Sequence, residues 1–121
     1  MKTYRDLLVW QKSMVLVTEI YRLSKSFPKD EIYGLTSQMR RCSVSIPSNI
    51  AEGYGRNSTI DYIRFLRLAT GSLYELQTQI EISLNLRYLK KTDFDQLYES
   101  SREIERMLSS LTKKLNDKQK K

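Results

Sequence analysis

Residues 58–86 read STIDYIRFLRLATGSLYELQTQIEISLNL, the longest helical pattern in this chain of 121 residues. Ser58 and Asp61 form a capping pair that opens the segment. At about 1.5 Å per residue, the pattern predicts a helix roughly 40 Å long. Gly71 lies in its interior, where glycine is unfavourable, and therefore predicts a close approach of another helix. The apolar residues at spacings of three and four are Tyr62, Leu66, Ala69, Leu73, Leu76, Ile80 and Leu84.

Two shorter helical patterns precede this segment. Residues 6–25 carry two adjacent apolar stripes, which predict a helix packed on two sides. Pro28 ends that pattern because proline cannot continue a helix. The stripes are Trp10, Met14, Val17 and Tyr21, and beside them Val9, Leu16, Ile20 and Leu23. A second helix is predicted over residues 31–53, with Ile32, Leu35, Met39, Cys42, Ile46 and Ile50 on one face.

The second pattern contains a proline and ends in glycines. Pro47 removes one backbone donor and crowds the carbonyl of Ser43, so we expect a kink or break there, with serine hydroxyls bonding the freed groups. Gly53 or Gly55 is expected to take a left-handed conformation that ends the helix.

A fourth pattern follows a turn at residues 85–91. Thr92 is predicted to cap this helix, with Asp93 and Asp95 in its first turn. Its apolar stripe is Phe94, Leu97, Ser101, Ile104, Leu108, Leu111 and Leu115. Four amphipathic helices with short connections predict an all-α fold, an antiparallel up-down-up-down four-helix bundle with a Pro-kinked second helix. We expect one domain over residues 1–121, with residues 116–121 a frayed basic tail.

No apolar run approaches the length of a membrane span, because polar residues recur within every apolar segment. The first residues also lack the apolar stretch of a signal peptide. We therefore expect a soluble cytoplasmic protein without membrane contact. Its single cysteine leaves no intramolecular disulfide.

The chain offers little for catalysis. It has no histidine, which removes the commonest general base and metal ligand. Cys42 falls on a core stripe, where cysteine acts as a small apolar residue. The acids of the fourth pattern lie at ion-pair spacing from Arg102 and Arg106. No nucleotide-binding motif occurs, so we predict a non-enzymatic protein with no cofactor and no metal.

Basic residues point to a polyanionic partner. Lysine and arginine number 21 against 14 acids, which gives a net charge of +7. Arginine guanidiniums hold phosphates through paired hydrogen bonds and stack on bases. The predicted nucleic-acid-binding residues, gathered around the second turn, are Arg40, Arg41, Tyr54, Arg56, Arg64 and Arg67. The alternative is that Gly53 and Gly55 only cap a helix, while Arg64 and Arg67 keep an outer face hydrated. Lys113, Lys114, Lys118, Lys120 and Lys121 fit a solvated tail equally well.

Several motifs resemble one family. They are LVWQK at 8–12, FPK at 27–29, GLTSQMRR at 34–41, SIPSNIAEGYGR at 45–56, FL at 65–66 and GSL at 71–73. Over residues 7–89 the chain resembles the bacterial four-helix bundle proteins encoded within intervening sequences of large-subunit ribosomal RNA genes. The resemblance implies a homopentameric ring. Relatives implied by it include the accessory variability protein of diversity-generating retroelements, which associates with a reverse transcriptase and nucleic acid.

The resemblance places Arg40, Arg41 and Arg56 at basic motif positions, and Pro47 and Asn49 in a kinked second helix. Thr70 departs from the family pattern, in which a basic residue often precedes the Gly-Ser pair, and so predicts a weaker basic patch. Two hypotheses remain open. The first is a homo-oligomeric module that binds RNA or DNA phosphates. The second is a protein-interaction scaffold, or an accessory subunit of a nucleic-acid enzyme such as a reverse transcriptase.

Overall fold

A computed structural model describes residues 2–120, which fold into four α-helices. These are α1 (Leu8–Ser24), α2 (Leu35–Tyr54), α3 (Thr59–Asn85) and α4 (Lys91–Gln119). Short 3₁₀ turns, Tyr4–Asp6 and Lys29–Glu31, precede α1 and α2. Within residues 2–120 there is no strand, and the predicted all-α bundle is confirmed.

Neighbouring helices run antiparallel, because residue numbers rise on one helix as they fall on the next. The pairs that show this are Ser45 with Ser72 and Tyr54 with Tyr62 between α2 and α3, and Gln77 with Ser101 and Tyr74 with Glu105 between α3 and α4. α1 contacts α4 through Lys12 and Glu103. The up-down-up-down order therefore places the α2–α3 turn and the carboxyl end of α4 at the same end of the bundle.

The core follows the predicted face of α3. Leu66, Ala69, Leu73, Leu76 and Ile80 are each fully buried, and they pack against apolar residues of the other three helices. Burial of such side chains contributes about 1.5–3 kcal/mol each to folding, before the entropy cost of ordering them. The face read from the spacing is therefore the face that holds the bundle together.

On α1 the predicted stripes differ in burial. Met14 and Tyr21 of the first stripe are exposed. Of the second stripe, Val9, Leu16 and Ile20 are buried, together with Ser13 and Ser24, and Leu23 is partly buried. The Ser13 hydroxyl donates to the Val9 carbonyl oxygen at 2.7 Å. A serine whose hydroxyl is hydrogen-bonded within its own helix can be buried in a core. These serines therefore belong to the buried face of α1, although a pattern based on apolar residues leaves them out.

The helix ends confirm one predicted cap and correct another. Ser58 caps α3, since its hydroxyl accepts the Asp61 N–H at 3.0 Å. Thr92 does not cap α4, because the helix already begins at Lys91 and the capping position, Lys90, has no side-chain hydrogen bond. The predicted start of α2 was also too early, because residues 29–31 form the separate 3₁₀ turn.

The glycines do not have the roles that were predicted for them. Neither Gly53 nor Gly55 is left-handed, since Gly55 ends α2 with φ −80° and no glycine in residues 2–120 has positive φ. Gly53 instead lies at a close helix contact, where an added Cβ would stand 2.7 Å from the Phe65 Cβ. Gly71, predicted at such a contact, has no atom within 4 Å of an added Cβ.

α2 continues through Pro47, so the helix is not broken there. The hydroxyls of Ser43 and Ser45 donate to the carbonyls of Arg40 and Cys42, not to the Ser43 carbonyl that Pro47 deprives of its donor. The proposed serine compensation is therefore wrong, and the kink itself stays a prediction.

The described chain ends as a helix, since α4 runs to Gln119. Fraying of residues 116–121 in solution stays a prediction, and Lys121 lies outside the described residues. Over residues 2–120, no helix combines the length and apolarity that crossing a bilayer requires.

Candidate nucleic-acid interface

Cys42 is the one cysteine, and its surroundings favour the protonated thiol. The thiol donates to the Ser72 carbonyl oxygen at 2.9 Å and lies 3.3 Å from a Glu75 carboxylate oxygen. Burial, and then the hydrogen bond and charge of Glu75, raise the pKa of Cys42 to about 12. Because the thiolate is the nucleophilic form, this environment disfavours covalent chemistry.

Four carboxylates of α4, those of Asp95, Glu99, Glu103 and Glu105, are engaged in ion pairs. Glu105 pairs with Arg102 at 3.1 Å, and Asp95 pairs with Lys91 at 2.6 Å. Glu103 reaches across to Lys12 on α1. Residues 2–120 contain no group of three or more acids and cysteines that could hold a metal ion.

The six predicted binding residues do not form one cluster. Arg40 and Arg41 lie near the amino end of α2, while Tyr54, Arg56, Arg64 and Arg67 lie near or just after its carboxyl end. At about 1.5 Å per residue, the helix separates Arg40 from Arg56 by roughly 24 Å. The prediction that these residues gather around the second turn is therefore wrong for Arg40 and Arg41.

Arg40 is tied to the carboxyl end of α1. Its Nε donates to the Ser24 hydroxyl at 2.9 Å, and Nη2 donates to the Tyr21 carbonyl oxygen at 3.3 Å. The guanidinium also lies over the Tyr21 ring, 4.8 Å from its centre. These contacts join α1 to α2. Arg41 is exposed and lines a shallow groove beside Arg40, with Tyr21, Ile32 and Val44.

Arg56 and Arg64 surround one aromatic ring at the α2–α3 turn. Their guanidiniums lie 4.7 Å and 4.6 Å from the centre of Phe65. Arg56 pairs with Glu52 at 3.3 Å, and Arg64 with Asp61 at 3.5 Å. These pairs are exposed and contribute little, so both guanidiniums stay near the surface and can exchange a carboxylate for a phosphate.

Tyr54 packs instead of facing solvent. Its ring meets the Tyr62 ring edge-on, with 6.1 Å between the centres, and it is half-buried against the core. Tyr54 therefore shapes the α2–α3 turn and offers little ring surface for a base.

Arg67 lies in a groove between α3 and α4, together with lysines that the sequence pattern assigned to a tail. The groove has a volume of about 680 Å³, and it is lined by Lys113 of α4 and by Lys120, which directly follows α4. Counting outward from the α3–α4 turn at equal rise, the antiparallel order places residue n of α3 opposite roughly residue 176 − n of α4. That relation places Arg67 level with Ser109, one helical turn before Lys113, so the topology alone brings the lysines of α4 near Arg67.

Comparison with solved structures gives one detailed match. It is the crystal structure, at 1.70 Å resolution, of a protein with unknown function from the S23 ribosomal protein family of Bacteroides thetaiotaomicron. The TM-score is 0.81 and 25% of residues are identical over 88% of this chain and 96% of that chain. None of the curated proteins compared with this chain matches it.

A family model described as 23S rRNA-intervening sequence protein matches residues 5–110. The match spans all of α1, α2 and α3 and most of α4. Neither this description nor that of the solved structure names a catalytic activity. The chain therefore belongs to the family of 23S rRNA-intervening sequence proteins.

Proposed function

We propose that this protein is a non-enzymatic module that binds RNA or DNA phosphates through one basic end of the bundle. We define the basic end as the α2–α3 turn with the carboxyl end of α4. The observation that carries the proposal is that Arg67 and two lysines from a distant part of the sequence, Lys113 and Lys120, line one groove there. A stretch of arginines and a stretch of lysines thus form one surface.

The charges at the basic end favour a polyanion. The cations are Arg56, Arg64, Arg67, Lys113, Lys114, Lys118 and Lys120, and the acids are Glu52, Asp61 and Asp117. Phosphate contacts by such side chains release condensed counterions and supply most of the affinity for nucleic acid without regard to sequence. The family description, which names a 23S rRNA intervening sequence, agrees with an RNA partner.

We further propose a homo-oligomer, with the pentamer implied by family resemblance as the expected form. Apolar side chains on two outer faces support it: Val15 on α1 is 64% exposed, and Ile60 on α3 is 65% exposed. Two different faces that recognise each other build a ring when the rotation closes. Light scattering that gives the mass of a single chain would contradict the oligomer.

Charge reversal tests the location of the phosphate contacts. We expect Arg56→Glu with Arg64→Glu to weaken binding of a fluorescein-labelled RNA strand about tenfold or more at low salt. Arg41→Glu is the matched control, since it reverses an exposed arginine near the opposite end of α2 and should change affinity little. An equal or larger loss for Arg41→Glu would move the contacts away from the basic end.

A polypeptide partner is the second candidate function, such as the nucleic-acid enzyme considered above. The α1–α2 connection favours it, because Ile32 and Tyr33 are exposed, Tyr33 by 93%. Exposed apolar and aromatic side chains of this kind are enriched in protein interfaces. A protein that co-purifies after nuclease treatment, and that Ile32→Ser with Tyr33→Ser releases, would support this function.

A further inference from the structure

We propose that the groove between α3 and α4 holds one unpaired strand of nucleic acid, with a base stacked on Tyr74 and phosphates at Arg67 and Lys113. We call it the α3–α4 groove. This inference rests on the proposed function and assigns it a site and a substrate class. Of the six residues that the sequence predicted to bind nucleic acid, only Arg67 lines this groove.

The α3–α4 groove carries many polar side-chain groups, whereas the seam of a bundle is ordinarily lined by apolar residues. The α3 side presents Arg67, Thr70, Gly71 and Tyr74 at helical spacings of three, one and three. The α4 side adds hydroxyl, amide and ammonium groups from Ser109, Thr112, Lys113, Asn116 and Lys120. Such groups can bond phosphate and sugar oxygens, whereas they add nothing to a dry core.

Tyr74 is positioned to receive a base. Its ring is half-exposed, and its hydroxyl makes a long contact of 3.4 Å with a Glu105 oxygen. Glu105 is fixed in turn, because it accepts from Gln77 Nε2 and pairs with Arg102, each at 3.1 Å. The ion pair with Arg102 also offsets the negative charge of Glu105 beside the Tyr74 ring. Aromatic rings held in this way stack on unpaired bases with little sequence preference.

Gly71 keeps the space between Tyr74 and Arg67 open. It lies three residues before Tyr74 and four after Arg67, and both neighbours line the same groove. An added Cβ would have no atom within 4 Å, so nothing in the bundle requires glycine at this position. A longer side chain at residue 71 would occupy the groove without disturbing the core.

The charges that face the groove are mostly unpaired. Within residues 2–120, Arg67, Lys113 and Lys120 form no ion pair at 4.0 Å or less. Two carboxylates line the groove: Glu105, which pairs with Arg102, and Asp117, which forms no ion pair within residues 2–120. An anion would therefore meet three uncompensated cations and one repulsive group, which makes Asp117→Asn a change that should raise affinity.

The dimensions favour a strand over a duplex. A volume of about 680 Å³ lies within the range of about 300–1,000 Å³ typical of small-ligand sites, which suits one or two nucleotides. A base inside a duplex has both faces covered by its neighbours, so it cannot stack on Tyr74. An acidic peptide would meet the same cations but would gain nothing from the ring.

The test uses the full chain and fluorescence anisotropy at low salt. The probes are a fluorescein-labelled oligouridine of about ten nucleotides, the matching oligothymidine, and an RNA duplex of equal length. Gly71→Gln should weaken strand binding about tenfold or more, Gly71→Glu more still, and Gly71→Ala little. Tyr74→Ser should weaken it roughly 5- to 150-fold, whereas Tyr74→Phe keeps the ring and most of the affinity.

Tyr33→Ser is the matched control, since it removes an exposed tyrosine outside the groove. Circular dichroism melting of each variant confirms that the bundle is intact. Strand binding unchanged in both Gly71→Gln and Tyr74→Ser would overturn the groove and leave the proposed function standing. Equal affinity for the duplex and for the strand would also overturn the groove. Displacement of the strand by polyglutamate to the same extent in the wild type and in Tyr74→Ser would overturn it as well. No binding of any probe by the wild-type chain would contradict the proposed function itself.

Discussion

Gly53 of α2 packs against Phe65 of α3 so closely that an added Cβ would stand 2.7 Å from the Phe65 Cβ. The same Cβ would lie 3.1 Å from Cδ1 of Tyr62. The contact involves a Cβ atom fixed to the α3 backbone, which cannot rotate away. The α2–α3 turn is therefore held by direct contact of the two helices, and Phe65 is held at the centre of the basic end.

Gly53→Ala is expected to destabilise the bundle. Overpacking of this kind costs about 1–3 kcal/mol, which exceeds the gain of about 1 kcal/mol from alanine in a helix. Urea unfolding followed by circular dichroism should show a lower midpoint than in the wild type. A midpoint that is unchanged or higher would mean that α2 and α3 separate at this point without cost.

Gly71→Ala should have the opposite effect. The new methyl group meets no atom within 4 Å, so only the gain in helix propensity of about 0.5–1 kcal/mol remains. The same urea experiment should show a higher midpoint. A loss of stability would reveal an atom close to residue 71 in the assembled protein, such as one from a second copy.

Arg40→Ala should lower stability and leave nucleic-acid affinity unchanged. The substitution removes the hydrogen bonds to Ser24 and Tyr21, which together contribute on the order of 1–2 kcal/mol. Arg41→Ala is the companion variant, and as an exposed change it should alter stability by less than about 0.5 kcal/mol. An Arg40→Ala protein that unfolds like the wild type but binds RNA poorly would indicate that Arg40 contacts the RNA.

The Cys42 thiol should react slowly while the protein is folded. With its pKa raised to about 12, the thiolate fraction at pH 8 is small, and iodoacetamide should modify it at least about a hundredfold more slowly than it modifies the urea-unfolded chain. Mass spectrometry over time gives both rates. Equal rates would show that the thiol is accessible and ionised in the bundle.

The same pKa sets a pH dependence of stability. The unfolded thiol ionises near its ordinary value of 9.0, whereas the folded thiol keeps its proton. Above pH 9 the folded state then binds more protons than the unfolded state. Ionisation of Cys42 therefore leaves the free energy of unfolding unchanged below pH 9 and lowers it as the pH rises from 9 towards 12. A Cys42→Ala variant should lack this decline, which separates it from the ionisation of other groups.

Periodicity was sufficient to predict the bundle, because a three-four spacing over residues 58–86 fixes which face of α3 is buried whatever its partners are. It failed for Ser13 and Ser24, whose hydroxyls bond backbone or side-chain groups and enter the core. The α3–α4 turn lies where it was predicted, between Asn85 and Lys91, although no glycine marks it. Arg87 has φ 64° there, a conformation that usually signals glycine.

The candidate site was only partly predictable, because residues close in sequence can be far apart along a helix. Arg40 and Arg56 are separated by most of α2, while Arg67 and Lys113 are distant in sequence and line one groove. The space beside a glycine also depends on packing. An added Cβ would lie 2.7 Å from the Phe65 Cβ at Gly53, whereas it would meet no atom within 4 Å at Gly71. Composition alone does not contain that information.

The salt dependence of RNA binding tests the central claim, that the basic end binds phosphates, most directly. We expect the logarithm of the association constant for a labelled single strand to fall linearly with the logarithm of salt concentration. The slope should be about −0.7 for each phosphate neutralised, and it should become shallower by about that amount when Lys113→Gln removes one cation. No binding at low salt, or a slope of zero, would contradict the account.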